Sequence, residues 1–194
     1  MQPESPYTRV EILHALADVE QEVASFFGSL SEDEFVLRVG DVWTPAEHLR
    51  HLNTSVSAVA RGFSASRWLL RLRFGRARAP SRGYEQVRET YRTGLAGGAG
   101  ATGEFVPARE DPPAAQVAQH RADVLARWKR VNARLRGALE SWSERDLDRI
   151  RLPHPILGKL TAREMLFFTL YHDQHHVAAA MRRLPRFDGA PSAP

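Results

Sequence analysis

Apolar residues recur at steps of three and four along most of this chain, a spacing typical of amphipathic α-helices. The pattern predicts a first helix over residues 7–30 and a second that starts at Thr44 and could extend to Phe74. It predicts a third long helix over residues 111–142 and a fourth over residues 161–184. No segment alternates apolar and polar residues over the length of a strand. We therefore expect an all-α protein.

Two of the predicted helices begin with strong capping signals. Thr44-Pro45-Ala46-Glu47 combines an N-cap threonine, a proline at the first helical position and a glutamate three residues after the cap. Thr161-Ala162-Arg163-Glu164 repeats the T-x-x-E pattern. In a capping box of this kind the two side chains bond backbone N–H groups that the first turn leaves free. We therefore expect Glu47 to be a cap and not a metal ligand.

The segments between the long helices are unusually extended. Residues 84–91 predict one short extra helix, and the glycine-rich stretch after it predicts a flexible surface loop over residues 94–111. Connectors of this length favour a four-helix bundle with long crossover connections. We assign residues 1–185 to this bundle and residues 186–194 to a C-terminal tail.

The composition narrows the chemistry. The 194 residues suit one domain, and the absence of cysteine excludes disulfides, a thiolate nucleophile and Cys-ligated metal sites. Any metal must therefore be held by His, Asp or Glu. The first residues do not have the pattern of a signal peptide, and no stretch is apolar over the roughly 18 residues of a membrane span. We expect a cytoplasmic protein that does not enter a membrane.

The positive net charge of +4 raises the question of nucleic-acid binding. Acidic residues are interspersed through most of the chain, as on solvated helix faces, and only Lys129 and Lys159 of the 27 basic residues are lysines. A groove built from the Arg-dense stretch at residues 61–82 would favour nucleic acid. We predict instead that the partner is a small molecule.

Candidate metal chemistry is concentrated in Tyr171-His172-Asp173-Gln174-His175-His176. On a helix, His172 and His176 lie four residues apart on one face, as the two histidines of H-E-x-x-H do when they bind one metal ion. His175 points about 100° away from His176 and is a weaker ligand candidate. An isolated pair at this spacing is equally compatible with a polar stripe, so a metal site depends on a third ligand.

The second predicted helix offers that third ligand. It carries His51, with His48 three residues earlier on a similar face. Helical steps from His51 lead to Ser55, Ala58 and Gly62, a strip of small side chains. Such a strip can leave room for a ligand or let a neighbouring helix approach closely, and both interpretations stay open.

Two longer patterns resemble the DinB/YfiT-like superfamily. Trp43-Thr44-Pro45-Ala46-Glu47-His48-Leu49-Arg50-His51-Leu52 resembles the family's W-[ST]-x-x-E-x-x-x-H-L signature. Pro153-His154-Pro155-Ile156-Leu157-Gly158-Lys159-Leu160-Thr161-Ala162-Arg163-Glu164, followed by Tyr171-His172-Asp173-Gln174-His175-His176, resembles its HP-x-x-G-x-L-T-x-x-E … YHDxHH ending. The matches occur in the family's order and leave residues 94–111 uncovered.

The resemblance implies a four-helix bundle that binds a divalent metal ion, zinc or nickel, through three histidines. Carried onto this sequence, the ligands are His51, His172 and His176. Three neutral imidazoles leave the ion its full charge and open positions for water or substrate. Such an ion lowers the pKa of a bound water or thiol and polarises a carbonyl.

Other polar residues are candidates for contacts around these ligands. Asp173 could accept the second N–H of a ligand imidazole, and Ser55 could bond a substrate or a metal-bound water. An ordinary structural role is an equal alternative for both. His48 is expected either to pack against its neighbours or to lie at the rim, His175 to contribute at most indirectly, and Trp43 to fill the core.

The characterised members of this superfamily include thiol-dependent S-transferases and isomerases that use bacillithiol or mycothiol. The resemblance therefore implies a metal-dependent transferase that joins a low-molecular-weight thiol co-substrate to an electrophile. The absence of cysteine is compatible with this, because the thiol would come from the co-substrate. Two alternatives stay open: metal-assisted hydrolysis, and a stress-inducible metal-binding protein without catalysis. Members often dimerise, but the sequence does not fix a homodimer.

Overall fold

Residues 7–184 are described by the structure, a computed structural model, and they form helices joined by one small hairpin. The predicted tail at residues 186–194 lies outside this range. Within the range, no helix is long and apolar enough to cross a bilayer. The elements are α1 (Arg9–Ser29), α2 (Glu32–Phe35), α3 (Pro45–Ser64), α4 (Arg67–Phe74), α5 (Tyr84–Ala96), α6 (Val117–Glu140), α7 (Glu144–Arg149), β1 (Arg151–His154), β2 (Gly158–Thr161) and α8 (Ala162–Met181), with single 3-10 turns at Gly103–Phe105 and Ala114–Gln116.

The four long helices α1, α3, α6 and α8 form the bundle. α3 packs along α6 and α8, and α1 packs along the same two helices, so α1 and α3 lie mainly on opposite sides of the bundle. The connection between α1 and α3 is therefore a crossover, as the long connector predicted. α5 packs on the outer side of α8. The predicted all-α four-helix fold is confirmed.

The apolar stripes of the long helices meet in one core. Its largest members include Trp128 and Trp142, which are buried together with Phe27 and Phe35. Each indole N–H finds a backbone acceptor: Trp128 donates to the Glu20 carbonyl and Trp142 to the Phe63 carbonyl, both at 3.0 Å. Because these polar atoms are bonded, the core buries both rings without an unpaired donor.

The predicted capping boxes are present and fix where α3 and α8 begin. The Glu47 N–H donates to Thr44 Oγ1 at 3.2 Å, and the Thr44 N–H donates to Glu47 Oε2 at 2.8 Å. The equivalent distances at Thr161 and Glu164 are 3.1 and 3.0 Å. Arg38 also bonds Glu47, 2.8 Å from its Oε1. Glu47 is thus a cap, as expected.

The second helix does not extend to Phe74. It ends at Ser64, Ala65 has extended backbone angles, and the chain turns before α4 starts at Arg67. α3 and α8 have 20 residues each, so they match in length. The turn packs α4 against β1 and buries Leu70.

The connector over residues 143–160 is more ordered than predicted. It contains α7 and an antiparallel hairpin in which Arg151 pairs with Thr161 and His154 with Gly158. Strands of four residues are too short to show a period of two, which is why the pattern missed them. Four short helices, and not one, accompany the bundle within residues 7–184.

The glycine-rich region also differs from its prediction. α5 continues to Ala96, so the irregular segment begins at Gly97, and α6 begins at Val117 after a 3-10 turn. Gly94 lies inside α5, where an added Cβ would be 3.0 Å from Ile156 Cγ2. Glycine here allows the helix to approach the hairpin closely, a role that composition alone does not reveal.

Candidate metal centre

The three predicted ligands come together between α3 and α8. Packing of these helices brings His51 of α3 against His172 and His176 of α8, and all three residues are buried. One potential ligand atom from each lies within 4.8 Å of the others. The i,i+4 spacing on α8 supplies two imidazoles on one face, and the facing helix supplies the third.

The closest approach joins His51 Nε2 and His172 Nε2, which are 3.0 Å apart. Two nitrogens bound to one zinc ion at about 2.0–2.1 Å with a tetrahedral angle would lie roughly 3.3 Å apart. The His176 ring centroid is 4.5 Å from that of each partner. The spacing therefore fits a shared divalent ion with only small shifts of the rings.

Burial holds these imidazoles in the neutral form that binds metals. Burial lowers the pKa of His51, and it lowers the pKa of His172 and of His176 well below the ordinary value, with neighbouring imidazoles adding to the effect. A cluster of neutral rings faces no mutual charge repulsion and keeps lone pairs for an ion.

His51 is oriented by a backbone group. Its Nδ1 donates to the Phe105 carbonyl at 2.7 Å, which leaves the lone pair on Nε2, the atom that faces His172. Phe105 lies in the 3-10 turn within the predicted loop at residues 94–111. A segment expected to be a connector thus helps to set the tautomer of a candidate ligand.

Asp173 lies behind His172. It is fully buried, its Oδ1 is 3.7 Å from His172 Nδ1, and that oxygen has no hydrogen-bond partner among residues 7–184. Burial raises the pKa of Asp173 well above the usual range. A cation beside His172 would favour the carboxylate and turn His172 Nδ1 into a donor to it. The orphaned oxygen therefore fits a metal bound at the opposite nitrogen.

His48 is buried next to His176 and does not lie at the rim. Their Nδ1 atoms are 2.8 Å apart, and Arg183 Nη1 lies 3.1 Å from His48 Nε2. A guanidinium only donates, so His48 Nε2 accepts and the neutral ring donates from Nδ1 to His176. Burial, with the Arg183 charge as a smaller cause, lowers the pKa of His48 to about 3. A metal can bind His176 Nε2 only if His176 carries its proton on Nδ1. That requires the proton on His48 Nδ1 to shift or Arg183 to move.

Trp43 covers the cluster. The side chain is half-buried, its ring centroid is 5.0 Å from that of His51, and its ring is nearly parallel to His176 at 5.9 Å. It therefore packs on the imidazoles, whereas the sequence had predicted that it would fill the core. An aromatic face at this position excludes water from one side of the cluster.

A cavity of about 730 Å³ opens beside the imidazoles. Ser55, Ala58 and Gly62 all line it, so the strip of small residues does leave room next to His51. Close packing also occurs, because a Cβ on Gly62 would lie 3.3 Å from Leu152 Cδ2. Ser55 Oγ is 3.5 Å from His51 Nε2, and His175 lines the cavity without joining the three-His cluster.

Several residues around the site were not identified as candidates from the sequence. Tyr91 and His154 line the cavity, the Phe105 carbonyl bonds His51, and Arg183 bonds His48. Only His154 carried a signal, as part of the Pro153-His154-Pro155 segment. A backbone carbonyl and an arginine at a helix end have no local pattern that marks them.

Comparisons with known proteins address the family. A comparison with curated proteins found no match, and neither did a comparison with solved structures. A family model described as the DinB superfamily matches residues 15–180, which span both candidate ligand helices and most of the chain. The chain therefore belongs to the DinB superfamily.

Proposed function

We propose that this protein binds one divalent metal ion, zinc or nickel, through His51, His172 and His176. The observation that carries the proposal is the group of three buried, neutral imidazoles at the wall of a cavity large enough for a small molecule. The unpaired Asp173 oxygen behind His172 supports it, because a cation would compensate that buried carboxylate.

We further propose that the bound ion serves an S-transfer reaction between a low-molecular-weight thiol and an electrophile. When bound, the ion would lower the pKa of a thiol held beside it. The chain has no cysteine, so a reacting thiol must come from a co-substrate. Trp43 and the buried walls would exclude water, and the Phe105 carbonyl would hold His51 in its ligating tautomer.

Metal-assisted hydrolysis is the weaker enzymatic alternative. Among the described residues, no Asp or Glu lines the cavity, so a water molecule there would have no carboxylate as a general base. A bound ion lowers the pKa of a water as well as that of a thiol, but a free thiol already has a pKa of about 8.5 and is the stronger nucleophile. This difference favours thiol chemistry over hydrolysis.

Nucleic acid remains a poor candidate partner. Within the Arg-dense stretch at residues 61–82, Arg67 and Arg71 approach Asp146, and Arg82 pairs with Glu164 at 2.9 Å. Charges committed to internal pairs are less available for phosphates. A soluble cytoplasmic enzyme that acts on small molecules, alone or as a homodimer, is our proposal.

The test combines metal content with thiol consumption. Protein purified without a His tag is analysed by elemental mass spectrometry and then assayed with bacillithiol or mycothiol and a reactive electrophile. We expect about one metal per chain and metal-dependent thiol loss, both abolished in His51→Ala. The control is His14→Ala, which removes an exposed imidazole on α1 and should change neither.

Thiol consumption that persists in His51→Ala would contradict the transferase. Ester turnover without thiol would identify a hydrolase. Tight metal binding with neither activity would identify a metal-binding protein without catalysis, the remaining alternative. Absence of metal uptake after zinc or nickel is added would refute the metal site itself.

A further inference from the structure

His154 holds a hydrogen-bonding arrangement that the proposed metal chemistry does not use. It ends β1, and its Nδ1 accepts from the N–H groups of Ile156 at 3.1 Å and Leu157 at 3.0 Å. Asn and Asp oxygens commonly close such turns by accepting the N–H two residues on. A neutral imidazole that accepts at Nδ1 carries its proton at Nε2. The turn therefore locks His154 in the Nε2–H tautomer.

The second nitrogen of His154 has no partner in the described part of the chain. No group among residues 7–184 bonds Nε2, although the residue is buried and lines the cavity. The ring packs on Phe168 with centroids 4.1 Å apart. Burial lowers the pKa of His154 to about 4, so the ring stays neutral near pH 7. An asparagine oxygen would close the turn equally well, but its amide N–H groups lie closer to the backbone, and the imidazole places a donor at the Nε2 position.

The wall around His154 is apolar. The cavity is lined by hydrophobic side chains from α4, α5, the hairpin and α8, among them Leu70, Phe74, Leu95, Leu152, Ile156 and Phe168. The imidazoles in the wall are neutral, and Arg61 is the one charged side chain lining the cavity within residues 7–184. Arg61 is half exposed and lies 3.9 Å from Glu104. Such a wall favours a ligand without net charge.

We propose that this cavity binds an uncharged, largely apolar organic molecule and that His154 Nε2–H positions a hydrogen-bond acceptor on it. The identification of this molecule as the electrophile rests on the proposed function. Low-molecular-weight thiols carry several polar or charged groups, so the apolar wall suits the other reactant. His154 is then a specificity residue that sets how the apolar molecule lies beside the three histidines.

The test uses metal-free protein and an uncharged fluorescent probe, propionyl-dimethylaminonaphthalene, whose emission moves to the red when its carbonyl accepts a hydrogen bond. We expect His154→Asn to keep the turn, since its side-chain oxygen replaces Nδ1, but to weaken probe binding about tenfold. The emission of the remaining bound probe should shift to the blue. His154→Gln places an N–H near the former Nε2 and should restore the red-shifted emission.

Three comparisons make the result specific. Dimethylaminonaphthalene, which lacks the carbonyl, should bind the wild type and His154→Asn equally. Ala58→Leu should fill part of the cavity and weaken both probes. Tyr91 also lines the cavity, and no described group bonds its hydroxyl, so Tyr91→Phe is measured in parallel. Circular dichroism and thermal melting verify that each variant is folded.

Equal probe affinity and emission in the wild type and His154→Asn would overturn the proposal. It is also overturned if Tyr91→Phe alone removes the red shift, or if anionic anilinonaphthalene sulfonate binds more tightly than the neutral probe. The measurement needs no metal or thiol, so its outcome is separate from that of the transferase test. Metal content should be the same in His154→Asn and the wild type.

Discussion

Helix α8 buries two polar sites that differ in how completely they are satisfied. Near its start, Arg163 is 1% exposed and its guanidinium bonds Asp148 at 2.7 and 3.0 Å, Glu144 at 2.8 Å and the Tyr7 carbonyl. Almost three turns later, Asp173 is equally buried, yet its Oδ1 has no partner within the described chain. One helix thus contains a closed polar site and an open one.

The two sites also differ in charge. Burial alone would lower the pKa of Arg163, but the hydrogen bonds that it donates to Asp148 and Glu144 raise this pKa, so the cation is stabilised by its partners. At the other site burial lowers the pKa of His172 and of His176, and no carboxylate of residues 7–184 forms a hydrogen bond with either ring. Buried groups that are fully paired serve the fold, whereas unpaired groups beside a cavity indicate a site for a ligand.

The largest contrast is expected from the double variant His172→Ala/His176→Ala. Zinc should raise the melting temperature of the wild type, since a ligand at a thousand times its Kd stabilises the fold by about 4 kcal/mol. The double variant should show no zinc-dependent shift. Differential scanning calorimetry with and without zinc measures this, and a shift of equal size in the variant would refute the assigned ligands.

Arg163→Met should lower the stability of the fold and leave metal binding unchanged. Removing one partner of a buried ion pair leaves Asp148 uncompensated, so we expect a loss of about 3 kcal/mol in the free energy of unfolding. Metal content should not change. Urea denaturation measures the loss. The matched control is Arg92→Met, which breaks only an exposed pair with Glu89 and should cost less than about 0.5 kcal/mol.

His154 tests whether a buried neutral imidazole beside the cavity makes the stability of the fold sensitive to acid. Burial lowers its folded pKa to about 4 from 6.5, so the unfolded chain binds the proton first as the pH falls. The free energy of unfolding is unaffected by this ring above pH 6.5. It falls on acidification toward pH 4, by on the order of 3 kcal/mol, because only the unfolded chain binds the proton in this range.

The measurement compares unfolding free energies of metal-free wild type and His154→Asn between pH 7 and pH 4. The wild type should lose more stability than the variant over this window. Parallel curves for the two proteins would show that this ring does not stay neutral when buried.

Asp173→Asn should give the smallest effect, and it separates metal affinity from the stability of the metal-free protein. Replacing a carboxylate that orients a metal ligand should lower metal affinity by about 10–100-fold. The metal-free protein should be at least as stable as the wild type, because an unpaired buried carboxyl is lost. Competition with a chelator measures the affinity, and Asp123→Asn on the exposed face of α6 is the control. A large loss of metal-free stability would contradict the role assigned to Asp173.

Local interactions made part of this protein predictable from its sequence. The threonine caps at Thr44 and Thr161 act on backbone groups within three residues, so they mark helix starts without knowledge of the fold. The spacing of His172 and His176 likewise follows from the helix alone. The apolar periodicity determined which helix faces are buried, and the absence of cysteine limited the ligand chemistry.

Tertiary packing decided the remainder, because it depends on which helices meet. The break between α3 and α4 allows α4 to pack against β1, and the hairpin packs against α8. The hydrogen bond that His51 donates to the Phe105 carbonyl joins residues 54 positions apart, and the one that Arg183 donates to His48 joins residues 135 positions apart. The sequence by itself determined the helices and the candidate imidazoles, whereas the cavity, the tautomers and the unpaired Asp173 oxygen arise only when distant segments are packed together.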